Sequence, residues 1–268
     1  MIGNGISTYL QLLGYHVVKI DSNELRIHLD MDEEQLGEAL GKIQPFKEFD
    51  GIINCIGIVK QRIQNHSDKY VLYINSNLPH LLAEISRAYN KKLIHISTDC
   101  VFSGKLGNMK ESDVPDAVDL YGKSKAEGES IKETALVVRT STIGVELYTS
   151  HGLLSWYINQ KNPVPGFENA IFNGLSLFEL SKSIDQLVNL NVFRGLYNVG
   201  SEPVSKFDLL SLFHIVGLGP KVMAVKEPVI NRTLNDEKFR SITKMQKPNW
   251  LEMLNDIQKE VESTNVRI

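Results

Sequence analysis

Short apolar runs alternate with helical patterns through the first half of the chain. His16–Ile20 (HVVKI) reads as a strand. Between Asp32 and Ile43, Leu36, Leu40 and Ile43 recur at helical spacing behind an acidic first turn, which predicts a helix. Gly51–Ile56 (GIINCI) is a second apolar strand, and Leu78, Leu81, Leu82 and Ile85 mark the next helix. Leu93–Ser97 (LIHIS) follows as a strand, Tyr121–Lys132 as a helix and Ala135–Arg139 (ALVVR) as a further strand. Strands apolar on both faces, separated by helices, predict a parallel sheet covered on both sides. Such a sheet takes its ligands at the carboxyl ends of the strands.

The second half is less regular. Leu177–Leu190 and Trp250–Val261 read as helices, and Gly195–Val199 (GLYNV) as a strand. Ser205, with Asp208 three residues on, resembles a helix start. No repeat, low-complexity tract or Pro/Gly-rich linker separates the halves. The opening residues, MIGNGISTYLQLLGYHVV, lead straight into a helix and then a strand. Dinucleotide-binding folds open instead with a strand and a glycine-rich turn. Gly3 reads as the last glycine of such a turn and Gly5 as the first residue inside the helix. The expected architecture is therefore α/β, a Rossmann-type doubly wound parallel sheet with its first strand missing, and a truncated start is the expected reason.

With 268 residues, 42% apolar and 23% charged, the chain fits one large α/β domain or a nucleotide-binding domain with a smaller lobe. Net charge is −3 without a basic stripe, which argues against nucleic acid as a partner. No apolar run reaches the roughly 18 residues of a membrane span, and no leader pattern is visible. The cytoplasm is the expected compartment. Cys55 and Cys100 make no disulfide framework and no metal-ligand spacing, and both read as reduced, buried thiols.

Two patterns carry chemistry. In Tyr121-Gly-Lys-Ser-Lys125, four residues of helix put the phenol and the amine on one face. A tyrosine titrates near 10 in water, and a lysine ammonium beside it is expected to lower that value so that the phenol can relay a proton. In His95-Ile-Ser-Thr-Asp-Cys100, a strand ends in Ser97-Thr98-Asp99, where a hydroxyl can bind a substrate oxygen beside the tyrosine. Each pattern also fits a plainer role, a surface lysine on an amphipathic helix or a Ser/Thr turn at a strand end.

Together with DGIINCIG (50–57), NSNLPHLLAE (75–84), STDCVFSG (97–104), YGKSKAEGE (121–129), VVRTSTIG (137–144) and GLYNVGSEPVSKFDLL (195–210), these residues resemble the extended short-chain dehydrogenase/reductases, in particular the dTDP-4-dehydrorhamnose reductase-like branch. Order and spacing agree over nearly the whole chain. The resemblance implies a dinucleotide-binding domain over 1–150, with about 191–203 returning to the sheet, and a smaller nucleotide-sugar-binding lobe from 151–190 and 204–268. It implies a catalytic set of Thr98, Tyr121 and Lys125, with Tyr121 as proton donor to a sugar ketone while NAD(H) or NADP(H) delivers hydride, and a homodimer. Gly3, Cys55, Ile56 and Gly57 would lie along the cofactor, Lys125 and Tyr121 at its nicotinamide end, and Asp30 and Met31 beside its adenine. Asp21, after HVVKI, would accept from the adenosine ribose, and its carboxylate favours NAD(H) because it repels a 2′-phosphate.

Thr98, Asp99, Thr142, Asn173 and Arg232 would face the substrate, a nucleotide-sugar for surface polysaccharide synthesis, with Arg232 on the diphosphate and Arg240 as its competitor. Thr142 stands where the branch carries a tryptophan in RTSW, so a sugar other than dTDP-4-dehydrorhamnose is expected. Cys100 occupies the position of the catalytic cysteine of GDP-fucose synthase, which adds epimerisation to the expected chemistry if the thiol is partly thiolate; His151 is a candidate partner, and a small packed residue is the plainer reading. The alternative to an enzyme is a dinucleotide-binding regulatory subunit, like the β subunit of methionine adenosyltransferase.

Overall fold

The structure, a computed structural model, describes residues 1–21, 31–43, 48–146 and 149–264. In chain order the elements are α1 (Ile2–Leu12), α2 (Glu33–Ile43), β1 (Gly51–Asn54), α3 (Asp68–Leu72), α4 (Leu78–Ala88), β2 (Lys92–Ile96), α5 (Leu120–Gly128), β3 (Leu136–Arg139), β4 (Thr142–Ile143) and α6 (Leu153–Ile158). There follow β5 (Val164–Phe167), β6 (Ala170–Phe172), β7 (Leu175–Ser176), α7 (Leu177–Asn189), β8 (Gly195–Asn198), β9 (Val204–Ser205), α8 (Lys206–Ile215), β10 (Val222–Val225), β11 (Ile230–Asn231), α9 (Glu237–Thr243) and α10 (Trp250–Ser263).

The central sheet has the order β1-β2-β3-β8, and every pair is parallel. Its strands are apolar on both faces because both faces are covered. Ile94 and Ile96 of β2, Leu136 and Val138 of β3 and Tyr197 of β8 enter one core, with side chains from α1, α7 and α10. The residues between them, Leu93, Val137 and Leu196, enter the other, with α2, α4 and the turn after α5. This two-sided cover makes the sheet a Rossmann-type, doubly wound arrangement.

HVVKI is not a strand. Residues 16–20 form no ladder, Val17 and Ile20 pack only partly, and Val18 is 41% exposed. A strand exists only through its ladder, and no strand among the described residues bonds to the outer edge of β1, so residues 16–20 have no ladder to belong to. The chain start also differs from expectation: α1 begins at Ile2, so Gly3 lies inside its first turn rather than in a preceding loop.

Two local features position the site. α3 runs through a π turn, Tyr73–Asn77, into α4, and the extra residue turns Asn75 fully inward. There its amide accepts from Ile58 N–H at 2.8 Å and donates to Ile58 O and to Ser124 Oγ at 3.1 and 3.0 Å, tying the loop after β1 to α5. Helix α5 starts at Asp119, whose carboxylate accepts from Gly122 N–H at 2.8 Å. Among the described residues no helix is long and apolar enough to cross a membrane.

Candidate active site

The carboxyl end of β2 carries Ser97, Thr98 and Asp99, all buried. Backbone bonds from Ser97 N–H to Val138 O (2.7 Å) and from Asp99 N–H to Thr140 O (3.2 Å) extend the ladder and hold this strand end in place. Helix α5 lies directly against it. A Cβ at Gly122 would stand 2.4 Å from Cys100 O, so only a glycine after Tyr121 lets the helix approach this closely. The Thr98 hydroxyl faces the Tyr121 phenol and works to lower its pKa, while burial, the largest influence, and then the Cys100 thiol push it well above the ordinary value. Burial therefore favours the protonated phenol in the free protein. This overturns the expectation that Lys125 lowers it.

The reason lies in where the Lys125 amine goes. Lys125 is buried, and its Nζ donates to Ile96 O at 2.8 Å and lies 3.2 Å from His95 Nε2. Burial lowers its pKa to about 8, against the opposing pull of Glu129 and Cys55. A Cβ at Gly57 would come within 3.4 Å of Asn75 Oδ1 and 3.9 Å of Lys125 Nζ. The glycine itself is exposed.

On the other side of Thr98 sits a charged cluster that sequence reasoning left incomplete. Lys206, the first residue of α8, lies 3.9 Å from the centre of the Phe172 ring and is coupled to Asp99, Cys100 and Arg232. Burial lowers its pKa, as burial raises that of Asp99. Arg232 Nε donates to Phe102 O at 3.0 Å.

The family model described as RmlD substrate binding domain matches residues 1–152. The chain belongs to this family.

Among its relatives is the dTDP-4-dehydrorhamnose reductase of Aggregatibacter actinomycetemcomitans, 45% identical over 65 residues, 22% of each chain. Another is the methionine adenosyltransferase 2 subunit beta of Bos taurus, 39% identical over 67 residues, 25% of this chain and 20% of that one. The matched stretches thus span only about a fifth of these relatives' length. A crystal structure of dTDP-4-dehydrorhamnose reductase from Bacillus anthracis, in complex with NADP, superimposes with a TM-score of 0.80 at 22% identity, covering 97% of this chain and 95% of that one; at this identity it shows the fold.

Within this RmlD-family chain the structure brings some of the expected residues together and sets others apart. Thr98, Asp99, Cys100, Tyr121 and Arg232 converge, and Cys55 and Gly57 lie near Lys125. Gly3 sits beside Cys55, where a Cβ would stand 3.5 Å from the Cys55 Cβ. Ile56 donates its N–H to Asn54 Oδ1. Met31 is half-buried and its carbonyl accepts from the Tyr73 hydroxyl at 3.1 Å. Asp21 is exposed, and Asp30 lies outside the described residues.

Asn173 is engaged within the protein. Its Oδ1 accepts from Leu234 N–H at 2.9 Å and its Nδ2 donates to Leu234 O at 2.8 Å, which makes it a buried clamp on the chain leading into α9. Arg240 is likewise engaged, with Asp236, Gln246 O and Gly200 O. Thr142 Oγ1 is buried without a partner among the described residues. His151 is exposed and its backbone N–H is held by Glu146.

Both cysteines are free, and burial pushes each thiol up to about 12. Asp99 adds to the effect at Cys100. A thiol this weakly acidic is a poor base, which removes the condition on which epimerisation at Cys100 rested. Alkylation of either cysteine by iodoacetamide at pH 8 is expected to run about 10²-fold slower than that of a free thiol titrating near 8.5. Labelling followed by mass spectrometry checks this; rapid modification of Cys100 would restore it as a candidate base.

Lys206, His95, Asn75 and Gly122 are the functional neighbours that the pattern reading missed. Only Gly122 carried a local signal, the small residue inside YGKSK. The others act on groups distant in sequence, His95 on Lys125 30 residues on and Asn75 on Ser124 49 residues on, where no periodicity points to them.

Proposed function

We propose that this RmlD-family protein is an NAD(P)-dependent reductase of a nucleotide-linked keto-sugar, acting in the synthesis of a surface polysaccharide. The observation that carries the reading is the meeting of the Thr98 hydroxyl with the protonated Tyr121 phenol at the carboxyl end of the central sheet, one helical turn from Lys125. A nicotinamide cofactor, when bound, supplies the hydride. Lys125, whose Nζ lies 3.9 Å from where a Cβ at Gly57 would stand, would be the donor to the cofactor's nicotinamide ribose.

The chain's own residues do the rest. Thr98 and Tyr121 both hydrogen-bond the ketone oxygen, and Tyr121 gives it a proton as charge develops there. Burial keeps the proton on Tyr121 in the free protein. Lys206 and Arg232 offer two positive charges on the far side of Thr98, where a sugar nucleotide's diphosphate needs them. Cys100 remains a thiol and packs the wall of the site.

Turnover of 4-keto sugar nucleotides with NADH and NADPH in parallel tests the reading. The exposed carboxylate of Asp21 favours NADH, whereas the Bacillus anthracis relative is described with NADP. Lys206→Met is expected to raise KM for the sugar nucleotide roughly 10- to 100-fold with a smaller effect on kcat, the loss of one charge-assisted hydrogen bond. An unchanged KM would remove Lys206 from the substrate site.

A second reading draws on the match to the methionine adenosyltransferase subunit and on the absence of HVVKI from the sheet. In it the protein binds a dinucleotide and regulates a partner enzyme. Tight dinucleotide binding with no turnover of any keto-sugar nucleotide would favour this second reading.

A further inference from the structure

Asn54, His95 and Lys125 form a buried chain of side chains beneath the site. Their donor and acceptor roles follow from one fixed point. The backbone N–H of Ile56 donates to Asn54 Oδ1 at 3.0 Å, and a backbone N–H can do nothing else. The opposite end of the amide, Nδ2, is therefore the group that faces His95 Nδ1 at 3.0 Å, and it too can only donate. His95 Nδ1 must accept.

Burial, with Lys125 and His80 nearby, holds the imidazole neutral. A neutral ring with a bare Nδ1 carries its hydrogen on Nε2. That N–H points at Lys125 Nζ, 3.2 Å away. An ammonium has three donors and no acceptor, whereas a neutral amine has a lone pair. The contact is thus a hydrogen bond with the amine and a meeting of two donors with the ammonium. The bond from Nζ to Ile96 O, at 2.8 Å, is open to both forms.

We propose that His95, its tautomer fixed by Asn54, is a positioning residue for Lys125: Nε2–H holds the neutral amine by its lone pair, and protonation breaks that bond and frees the ammonium. The inference rests on the reading of Lys125 as part of the active centre. Only the ammonium can stabilise the phenolate left when Tyr121 has given up its proton. His95 therefore holds the neutral amine above about pH 8, and below it the ammonium, the working form, predominates. The groups that face Lys125 are Glu129 and Cys55, which favour the charge, and His95; burial opposes the charge and outweighs them, placing the exchange near pH 8.

Nuclear magnetic resonance of the free, full-length protein tests this without substrate or cofactor. With imidazole-¹⁵N histidine and ¹³Cε lysine labels, His95 is expected to show a protonated Nε2 and a bare Nδ1. One lysine, lost from the spectrum in Lys125→Met, is expected to titrate near pH 8, and the His95 Nε2 resonance to move with it. A His95 ring protonated on Nδ1, or a Lys125 titrating in the ordinary range of about 10.4, would overturn the proposal.

Asn54→Asp gives the opposite arm. A carboxylate facing Nδ1 requires Nδ1–H, which turns Nε2 into an acceptor for the ammonium. Lys125 should then titrate at a higher pH than in the wild type; a switched tautomer with Lys125 unmoved would also overturn the proposal. If Asn54→Asp does not fold, the wild-type spectra decide. Because all these resonances are read in the free protein, a failure to reduce any keto-sugar leaves them standing, and a wrong tautomer leaves the Thr98–Tyr121 reading intact.

Discussion

Replacing Tyr121 with phenylalanine is expected to cut turnover of a keto-sugar nucleotide by about 10²- to 10⁴-fold, the range that a positioned general acid contributes. The loss should fall on kcat, with KM within a few-fold of wild type, because the phenol's proton matters most when charge develops on the ketone oxygen. The fold should not suffer. Removing the hydroxyl leaves Thr98 bonded to Asp99 Oδ1 at 3.2 Å and to Cys100 N–H at 3.1 Å, and the ring stays where it was. Steady-state kinetics beside a thermal melt separate the two effects. Turnover at the wild-type level would reject Tyr121 as the acid and, with it, the proposed reductase.

The largest expected loss of stability lies just behind the same strand end. Glu129 and Arg139 form an ion pair that is almost wholly removed from solvent, at 4% and 2% side-chain exposure. Arg139 Nε reaches both carboxylate oxygens at 3.0 and 2.9 Å and Nη2 reaches one at 2.7 Å. The Ser97 hydroxyl donates to the same carboxylate at 2.5 Å, and the guanidinium lies 4.8 Å from the Phe102 ring centre. Glu129→Gln leaves the arginine's charge buried without its counter-ion, which should cost about 3–5 kcal/mol, roughly a 10 °C drop in Tm for a chain of this size. A loss below about 1 kcal/mol in a urea melt would mean that water reaches the guanidinium and that the pair is not closed. Replacing both partners with apolar residues of similar volume, Glu129→Leu with Arg139→Met, should recover much of the loss.

These two effects meet at β2. Ser97 ties the strand end to the ion pair, and Thr98, the next residue, faces Tyr121. The same few residues are thus fixed from behind by a charge pair and from above by α5, whose Gly122 permits the close approach. A disturbance of Glu129 should therefore reach activity as well as stability.

The alternation of apolar strands with helical patterns determined, by itself, a parallel sheet covered on both faces, because only two-sided burial makes β2 and β3 apolar at every position but Lys92, His95 and Arg139. The spacing of Tyr121 and Lys125 put both on one face of α5, and STD at a strand end put Thr98 at the ligand edge, since helical and strand periods are local properties of the chain. The family resemblance added the roles. What periodicity could not decide was anything that depends on a partner distant in sequence. HVVKI has the composition of a strand and is not one, because a strand exists only through its ladder and residues 16–20 pair with no strand among those described. Asn173 read as a substrate ligand, but Leu234, 61 residues on, takes both ends of its amide. Tyr121 was expected to be acidified by Lys125; burial and the capture of the amine by His95 and Ile96 decided otherwise. Lys206 joined the site only when α8 packed its first turn against Phe172 and the end of β2. Burial and hydrogen-bond partners are set by packing across the whole chain, and they fix which of the locally legible groups are charged, engaged or free to act.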